Sequence, residues 1–143
     1  MKRDVVRFTF PAFFIVLTLF SKSVCAAEVV VHRALGQDEI TLNIVRLIFT
    51  MRLIRWPDGS RVRVFVLPDS TELHREFSKQ QLDLYPRQLR RVWDRNLFSG
   101  SGAVPVTVYS VEEMLRRVEE TPGAIGYLPD GYATDGVRTV HVK

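Results

Sequence analysis

The amino-acid sequence predicts an α/β fold, a layered mixed β-sheet with flanking helices. Short apolar segments rich in β-branched residues alternate along the chain with segments in which apolar residues recur at helical spacing. Turn signals separate consecutive segments and leave neither a long linker nor an internal repeat. Because strands that alternate with helices form layered sheets, we expect a single such domain over residues 28–143.

The first elements of this domain are a strand, a helix and a second strand. Glu28 to His32 is expected to be a buried strand, because its three valines are consecutive and β-branched. Thr41 can cap the helix that follows, which should end at the turn signal Trp56-Pro57-Asp58-Gly59. Valines that alternate with other residues predict the next strand, from Arg61 to Leu67.

Two helices are expected next. Asp69-Ser70-Thr71-Glu72 has the spacing of a capping box, in which Glu72 would reach back to the start of the first helix. Pro86 is expected to begin the second helix, because its fixed φ suits the first helical position. The residues of this second helix that should face the core are Leu89, Trp93 and Leu97.

The last third of the chain predicts a strand, a helix and two further strands. Val104 to Tyr109 is the strand, and Ser110 with Glu113 forms the capping box of the helix after it. Ala124 to Leu128 is a continuous apolar segment that predicts a buried strand. Val137 to Val142 is expected to be the last strand of the sheet.

Residues 1–27 have the three parts of a secretory signal peptide. Basic residues precede an apolar segment from Phe8 to Phe20, and small residues follow at Val24-Cys25-Ala26-Ala27. A peptidase could cut after Ala26 or after Ala27. The pattern therefore predicts export to the periplasm.

A membrane anchor is the alternative interpretation of this segment. Its apolar part of about 13 residues is shorter than the roughly 20 that a spanning helix needs, and Pro11 interrupts it. Lipidation of Cys25 is disfavoured, because Lys22 stands where such signals have leucine. We expect a cleaved signal and no membrane anchor afterwards.

Most of the positive charge belongs to the signal peptide. The chain has a net charge of +4, and Lys2, Arg3, Arg7 and Lys22 against Asp4 account for three of these charges. The domain is thus close to neutral, at about +1, which gives no indication of nucleic-acid binding. The single cysteine, Cys25, lies in the cleavage region, so we expect neither a disulfide nor a thiolate metal site in the domain.

Asp69, Ser70 and Thr71 are the candidate ligand-binding residues. They lie at the predicted start of a helix, where hydroxyls and free backbone amides meet the positive end of the helix dipole, and such sites bind oxyanions. The alternative is that these residues only cap the helix. Asp69 and Glu72 also bring negative charge that would repel an anion.

Arg87, Arg91 and Arg95 are the candidate partner-binding residues. They recur at i, i+4 spacing and therefore share one face of the helix that begins at Pro86. Such a row could dock an acidic protein partner, or it could be an ordinary solvated face.

The sequence contains no catalytic motif that we can identify. His32, His74 and His141 lack the spacing of metal ligands, and no serine stands in a nucleophile elbow. We therefore expect no enzyme activity, no metal and no cofactor.

Five segments of the domain carry a family resemblance. They are Val29-Val30-Val31-His32, Ile40-Thr41-Leu42, Leu47-Ile48-Phe49, Trp56-Pro57-Asp58-Gly59 and Pro122-Gly123-Ala124-Ile125-Gly126-Tyr127. In this order they resemble the phosphate-binding-protein-like family of periplasmic solute receptors. The resemblance covers nearly all of residues 28–143. It implies the fold of one lobe, the second, of a type II periplasmic binding protein associated with an ABC importer.

The chain departs from this family in two respects. A complete receptor has two lobes that close on the anion and is more than twice as long. The family's phosphate loop, Arg-Ser-Asp-Gly-Ser-Gly-Thr, would fall on residues 67–72, where the arginine and both glycines are absent. Asp69, Ser70 and Thr71 offer the comparable groups. In addition, His32 stands where asparagine is usual and Met51 where glycine is usual.

Two functions follow from this resemblance. The first is a periplasmic solute-binding module for phosphate or another small oxyanion, contacted at Asp69 to Thr71. The second is an accessory domain of the cell envelope that keeps the fold, has lost the ligand and binds a protein partner. A homodimer would reconcile the two, because a second copy would lie where the missing lobe would be.

Overall fold

The computed structural model describes residues 26–143, which form a six-stranded sheet and four helices. The strands are β1 (Ala27–His32), β2 (Glu39–Ile40), β3 (Arg63–Val66), β4 (Val106–Thr107), β5 (Ala124–Pro129) and β6 (Val137–Val142). The helices are α1 (Leu42–Phe49), α2 (Glu72–Gln81), α3 (Pro86–Phe98) and α4 (Val111–Glu120). The predicted α/β architecture with a mixed sheet is confirmed.

The strand order of the sheet is β2-β6-β1-β5-β3-β4. β1 is antiparallel to both of its neighbours, with Val30 opposite Gly126 of β5 and Thr139 of β6. β3 is parallel to β5 on one side and to β4 on the other. The carboxyl ends of β3, β4 and β5 therefore lie together at one edge of the sheet. We call this surface the carboxyl edge and define it by residues 69–71, 109–110 and 130–132.

Helices cover both faces of the sheet, as two neighbouring residues of β5 demonstrate. Tyr127 stacks on Phe77 of α2, with ring centroids 4.0 Å apart. A Cβ added at Gly126 would lie 2.6 Å from the Met114 sulfur of α4. Because successive residues of a strand point to opposite faces, α2 and α4 lie on opposite sides of the sheet. The indole of Trp93 in α3 donates a 2.8 Å hydrogen bond to the Phe49 carbonyl, which joins α3 to α1.

The core is centred on β1, β5 and an aromatic cluster beneath α2. Val29, Val30 and Val31 are buried, as the consecutive valines of β1 predict. The rings of Phe49 and Phe77 meet edge to face with centroids 4.7 Å apart, and both contact the Tyr127 ring. Burying each such side chain contributes about 1.5–3 kcal/mol, so this cluster fixes α1 and α2 against β5.

Two of the predicted helix caps are confirmed. The Thr41 hydroxyl accepts a hydrogen bond from the Ile44 amide at 3.4 Å. The Ser110 hydroxyl accepts from the Glu113 amide at 3.0 Å, and the Glu113 carboxylate accepts from the Tyr109 amide at 2.8 Å. Each pattern satisfies amides that have no partner inside the helix.

The capping box predicted at residues 69–72 is wrong. Thr71 occupies the N-cap position, but its hydroxyl donates to the Pro68 carbonyl at 2.8 Å and accepts no bond from the helix. Glu72 forms an ion pair with Arg75 and does not reach back. A basic residue one turn away thus competes successfully for the carboxylate.

Three smaller differences concern burial and strand length. Leu97 was expected to face the core but is 54% exposed, since it lies in the last turn of α3 beside the exposed Phe98. The strand expected from Val104 to Tyr109 is paired only at Val106–Thr107. The short strand β2 has no apolar periodicity and was not predicted.

The signal peptide predicted over residues 1–27 falls almost entirely outside the described residues and stays a prediction. Its last residue, Ala27, is the first residue of β1, where it is buried and lies opposite Pro129. No helix among residues 26–143 has both the length and the apolar character to cross a membrane.

Candidate functional site

The candidate ligand-binding residues lie at the carboxyl edge of the sheet. Asp69 and Ser70 follow the carboxyl end of β3, and Thr71 precedes the first residue of α2. In open α/β sheets, ligands commonly bind outside the carboxyl ends of the strands. The topology therefore places these residues where the fold favours a binding site.

The first turn of α2 has backbone amides without acceptors. Neither the Thr71 hydroxyl nor another side chain caps the helix. Among residues 26–143, no group accepts a hydrogen bond from the amides of Glu72 or Leu73. These donors and the helix dipole give this end of α2 a partial positive charge.

Asp69 is held by an arginine from α3. Arg90 donates two hydrogen bonds to its carboxylate, from Nη2 to Oδ1 at 2.9 Å and from Nε to Oδ2 at 3.2 Å. These bonds raise the pKa of the Arg90 guanidinium. The same guanidinium lies 5.0 Å from the centre of the Trp93 ring. Asp69 therefore carries a neutralised charge and is a fixed part of the α2–α3 contact.

A chain of buried polar groups connects Asp69 to the centre of the sheet. The Tyr127 hydroxyl accepts from the Leu67 amide at 2.8 Å and lies 2.6 Å from Nδ1 of His74. On the other side of the imidazole, Nε2 lies 3.6 Å from the Asp69 carboxylate. Both ring nitrogens of His74 therefore have polar neighbours, Tyr127 at Nδ1 and, at Nε2, Asp69 together with the Ser78 hydroxyl at 3.4 Å.

Burial keeps the side chains of His74 and Tyr127 uncharged, so the charged members of this series of polar groups are Asp69 and Arg90. His74 is completely buried, and burial lowers its pKa from 6.5 to about 4, against a smaller opposing effect of Asp69. Burial also raises the pKa of the Tyr127 hydroxyl. His74 is consequently neutral at pH 7, and its imidazole lies between the Tyr127 hydroxyl and the Asp69 carboxylate.

An open groove of about 510 Å³ lies beside the start of α2. Its walls are formed by the start of α2, by Asp69 and Ser70 and by the first turn of α3, and the lining residues are Asp69, Ser70, Arg75, Tyr85, Pro86 and Arg87. Two of the three candidate ligand-binding residues thus meet one of the three candidate partner-binding arginines. Thr71 is not part of the lining.

The three arginines of the predicted row do not share one environment. All of them are exposed, and none forms an ion pair within residues 26–143. Arg87 lines the groove described above, whereas Arg95 lines a separate depression with Thr50 and Arg52. Arg91 lies between them along α3.

Sequence reasoning missed three residues that shape this site. Arg90 neutralises Asp69, and His74 and Tyr127 lie beneath it. The Arg90–Asp69 and His74–Tyr127 contacts join residues that are 21 and 53 positions apart in the sequence. A buried histidine gives little signal in one sequence, since its surroundings are set by the tertiary fold. The described residues contain no cluster of three or more histidine, cysteine, aspartate or glutamate side chains that could hold a metal.

Comparisons with known proteins identify the fold. No family model and no curated protein matches the sequence. Among solved structures, a phosphate transport receptor of the ABC type from Vibrio cholerae is 13% identical, with a TM-score of 0.64 over 81% of this chain and 45% of the receptor. A putative phosphate ABC transporter substrate-binding protein with bound phosphate, from Clostridium perfringens, is 16% identical, with a TM-score of 0.65 over 81% and 44%.

A third structure agrees with these two. PstS from Borrelia burgdorferi is 17% identical, with a TM-score of 0.62 over 82% of this chain and 47% of PstS. The chain thus spans about half the length of the solved structures that it matches. The expected resemblance is confirmed for the fold: this chain has the fold of a single lobe of PstS-like substrate-binding proteins.

Proposed function

We propose that this protein is an exported solute-binding lobe that contacts a small oxyanion, such as phosphate, in the groove at the start of α2. The observation that carries the proposal is the uncapped first turn of α2, which follows Asp69 and Ser70 in a groove also lined by Arg75 and Arg87. Helix N-termini of this kind are common anion sites. The fold supports the choice of ligand, because two of the similar structures are a phosphate transport receptor and a putative phosphate ABC transporter substrate-binding protein with bound phosphate.

The charges around the groove support an anionic ligand. Asp69 and Glu72 would repel an anion if their carboxylates were free, but they pair with Arg90 and Arg75. Arg87 remains as an exposed cation without an ion pair in the described chain. The free charge of the groove is therefore positive.

The groove of one lobe binds only weakly. It is open to water, and each exposed charged contact contributes about 0–1 kcal/mol. A few such contacts give a dissociation constant in the millimolar range. Tight binding requires a second body that covers the groove and excludes water, as enclosed sites do.

The remaining parts of the proposal concern location and chemistry. The signal peptide predicted from the sequence supports export to the periplasm, as does the similarity to a receptor of the ABC type. A binding role without catalysis agrees with His74, whose position in the core keeps it from any ligand in the groove. The proposed function needs neither a metal nor a cofactor.

Titration with phosphate, followed by amide NMR, tests this function. Phosphate should shift the amides of Ser70, Glu72 and Leu73 with a dissociation constant of about 1–10 mM. Arg87→Gln should weaken binding at least about threefold, because it removes the free cation of the groove. Arg91→Gln is the matched control and should leave binding unchanged. Shifts that are absent at tens of millimolar phosphate would overturn the proposal.

A second candidate function is an accessory envelope domain that binds a protein partner. Arg91 and Arg95 favour it, because they are exposed and lie outside the groove, and so does Phe98, which is 86% exposed at the end of α3. Exposed arginines beside an aromatic side chain are typical of protein interfaces. Equal recovery of partners by the wild type and by Arg91→Glu with Arg95→Glu would contradict this role.

A further inference from the structure

We propose that a surface remote from the groove, the amino edge, docks on membranes that contain anionic phospholipids. The amino edge comprises residues 46–55, 61–64, 82–84 and 95–106, and it includes the starts of β3 and β4. It combines exposed arginines with protruding apolar side chains, a combination that binds the charged interface of a lipid bilayer. Membrane docking is therefore a function beyond oxyanion binding.

Hydrogen bonds join the parts of the amino edge into one surface. The Asn96 side chain in α3 donates to the Thr50 carbonyl after α1 at 3.3 Å. The Asn96 carbonyl accepts from the Ser101 hydroxyl at 2.8 Å, which folds the segment after α3 back onto the helix. Ser101 also lines a depression with Ile54 and Arg61, next to the start of β3. The ends of α1 and α3 and the start of β3 are therefore adjacent.

The charge of the amino edge is positive. It contains three depressions of about 130, 320 and 310 Å³, and the second and third share Thr50 and Arg52. Asp83 is the one carboxylate among the residues that line them. The same linings contain five arginines, none with an ion pair within residues 26–143: Arg46, Arg52, Arg61, Arg63 and Arg95. This charge remains available to an anionic partner.

Apolar side chains protrude from the same surface. Phe98, the last residue of α3, is 86% exposed, and Leu97 before it is 54% exposed. Ile54, Val104 and Val106 are also exposed, and they line the depression at the start of β3. Transfer of such side chains from water into the acyl boundary of a bilayer is favourable.

Two features favour a lipid surface over an acidic protein as the partner. The arginines are spread over three depressions, so they suit a partner whose negative charge is distributed over its whole surface. Phe98 is followed by the small residues 99–103, which leave its ring free to enter the acyl boundary. In this shallow interfacial mode the arginine side chains contact the lipid phosphates while the apolar side chains insert.

Docking at the amino edge leaves the oxyanion groove open to solutes. The first residue of α3, Pro86, lines the groove, and its last residue, Phe98, belongs to the amino edge. The helix has 13 residues, each with a rise of about 1.5 Å, so the groove lies about 20 Å from Phe98. A membrane-bound protein can therefore still bind an anion at the start of α2.

Co-sedimentation with lipid vesicles tests this surface. The full chain is expressed with its signal peptide, purified after export and mixed with vesicles of phosphatidylcholine, either alone or in equal parts with phosphatidylglycerol. We expect binding to the anionic vesicles and little binding to the neutral ones. An increase in salt from about 0.1 M to about 0.5 M should weaken binding about tenfold or more, because salt screens the arginines.

Variants separate the contributions of charge and apolar surface. Arg52→Gln with Arg95→Gln should weaken binding at least about tenfold, because each arginine near an anionic surface contributes about a fivefold gain in affinity. Phe98→Ser should weaken binding about tenfold, because docking removes the ring from water.

Matched controls lie outside the amino edge. Arg87→Gln with Arg91→Gln removes two exposed arginines from the earlier part of α3, and Tyr109→Ser removes an aromatic side chain that is 77% exposed at the carboxyl edge. Both controls should bind vesicles as the wild type does, and thermal unfolding confirms that every variant is folded. Equal binding to neutral and anionic vesicles, or equal losses in the controls, would overturn the inference. Binding to polyglutamate without binding to anionic vesicles would also overturn it and would indicate an acidic protein partner.

This function and oxyanion binding fail separately. Phosphate shifts are measured without vesicles, at amides of the carboxyl edge. Arg87→Gln should weaken phosphate binding and leave vesicle binding unchanged, whereas Arg52→Gln with Arg95→Gln should do the reverse.

Discussion

The buried imidazole of His74 predicts a specific loss of stability in mild acid. In the folded protein its pKa is lowered to about 4, whereas an unfolded chain has the ordinary value of 6.5. Between these values the unfolded state binds the proton and the folded state does not. The contribution of His74 to stability is therefore complete above about pH 6.5 and is lost progressively as the pH falls towards 4.

The size of this loss follows from the difference between the two pKa values. A difference of about 2.5 units, at 1.36 kcal/mol per unit, corresponds to about 3 kcal/mol of unfolding free energy. Small domains are stable by only about 5–15 kcal/mol, so this loss is large enough to measure. Its cause is the cost of charging an imidazole that is completely buried, with Tyr127 at one nitrogen and Asp69 near the other.

Urea unfolding of the wild type and of His74→Gln between pH 4 and pH 8 measures this loss of unfolding free energy. Carboxylates change the stability of both proteins, so the test is the difference between the two curves. The wild type should lose about 3 kcal/mol more than His74→Gln as the pH falls from 7 to 4. His141→Gln is the matched control, since His141 is exposed, and it should keep the wild-type slope. Parallel curves for wild type and His74→Gln would refute the reasoning.

Two further predictions concern packing and export. Gly126→Ala should destabilise the fold by about 1–3 kcal/mol in urea unfolding, because its Cβ would lie 2.6 Å from the Met114 sulfur and 3.1 Å from Val118. Gly36→Ala, which meets no atom within 4 Å, should change stability by less than about 0.5 kcal/mol. Mass spectrometry of the exported protein should find Ala27 as the first residue, because cleavage after it would remove a buried residue of β1. Equal stability of the two glycine variants, or a protein that begins at residue 28, would contradict these expectations.

The fold was largely predictable because its signals are local. The valines of β1 and the alternation in β3 specify buried strands, and Ser110 with Glu113 specifies the start of α4. The exceptions depend on tertiary position. Leu97 has the spacing of a core residue but lies in the exposed last turn of α3, and β2 forms because β6 offers a free edge for pairing.

The position of the candidate site was predictable from the sequence, but its ion pairs and hydrogen bonds were not. The start of a helix after a strand indicated Asp69 and Ser70, and the structure brings both to one groove with Arg87. Arg90, which neutralises Asp69, is 21 positions away from it in the sequence, so no local sequence pattern predicts this contact. A helix start whose sequence matches a capping box can thus keep backbone amides without acceptors, because arginines pair with the carboxylates that would have accepted from them.

The most direct test of the central claim is an NMR titration of the wild type and of Arg87→Gln with phosphate. The claim is that the first turn of α2 and Arg87 form an oxyanion site in the groove. It predicts shifts at Ser70, Glu72 and Leu73, with a dissociation constant of about 1–10 mM, and weaker binding by the variant. Wild-type amides that do not respond at tens of millimolar phosphate, or that respond equally in Arg87→Gln, would contradict it.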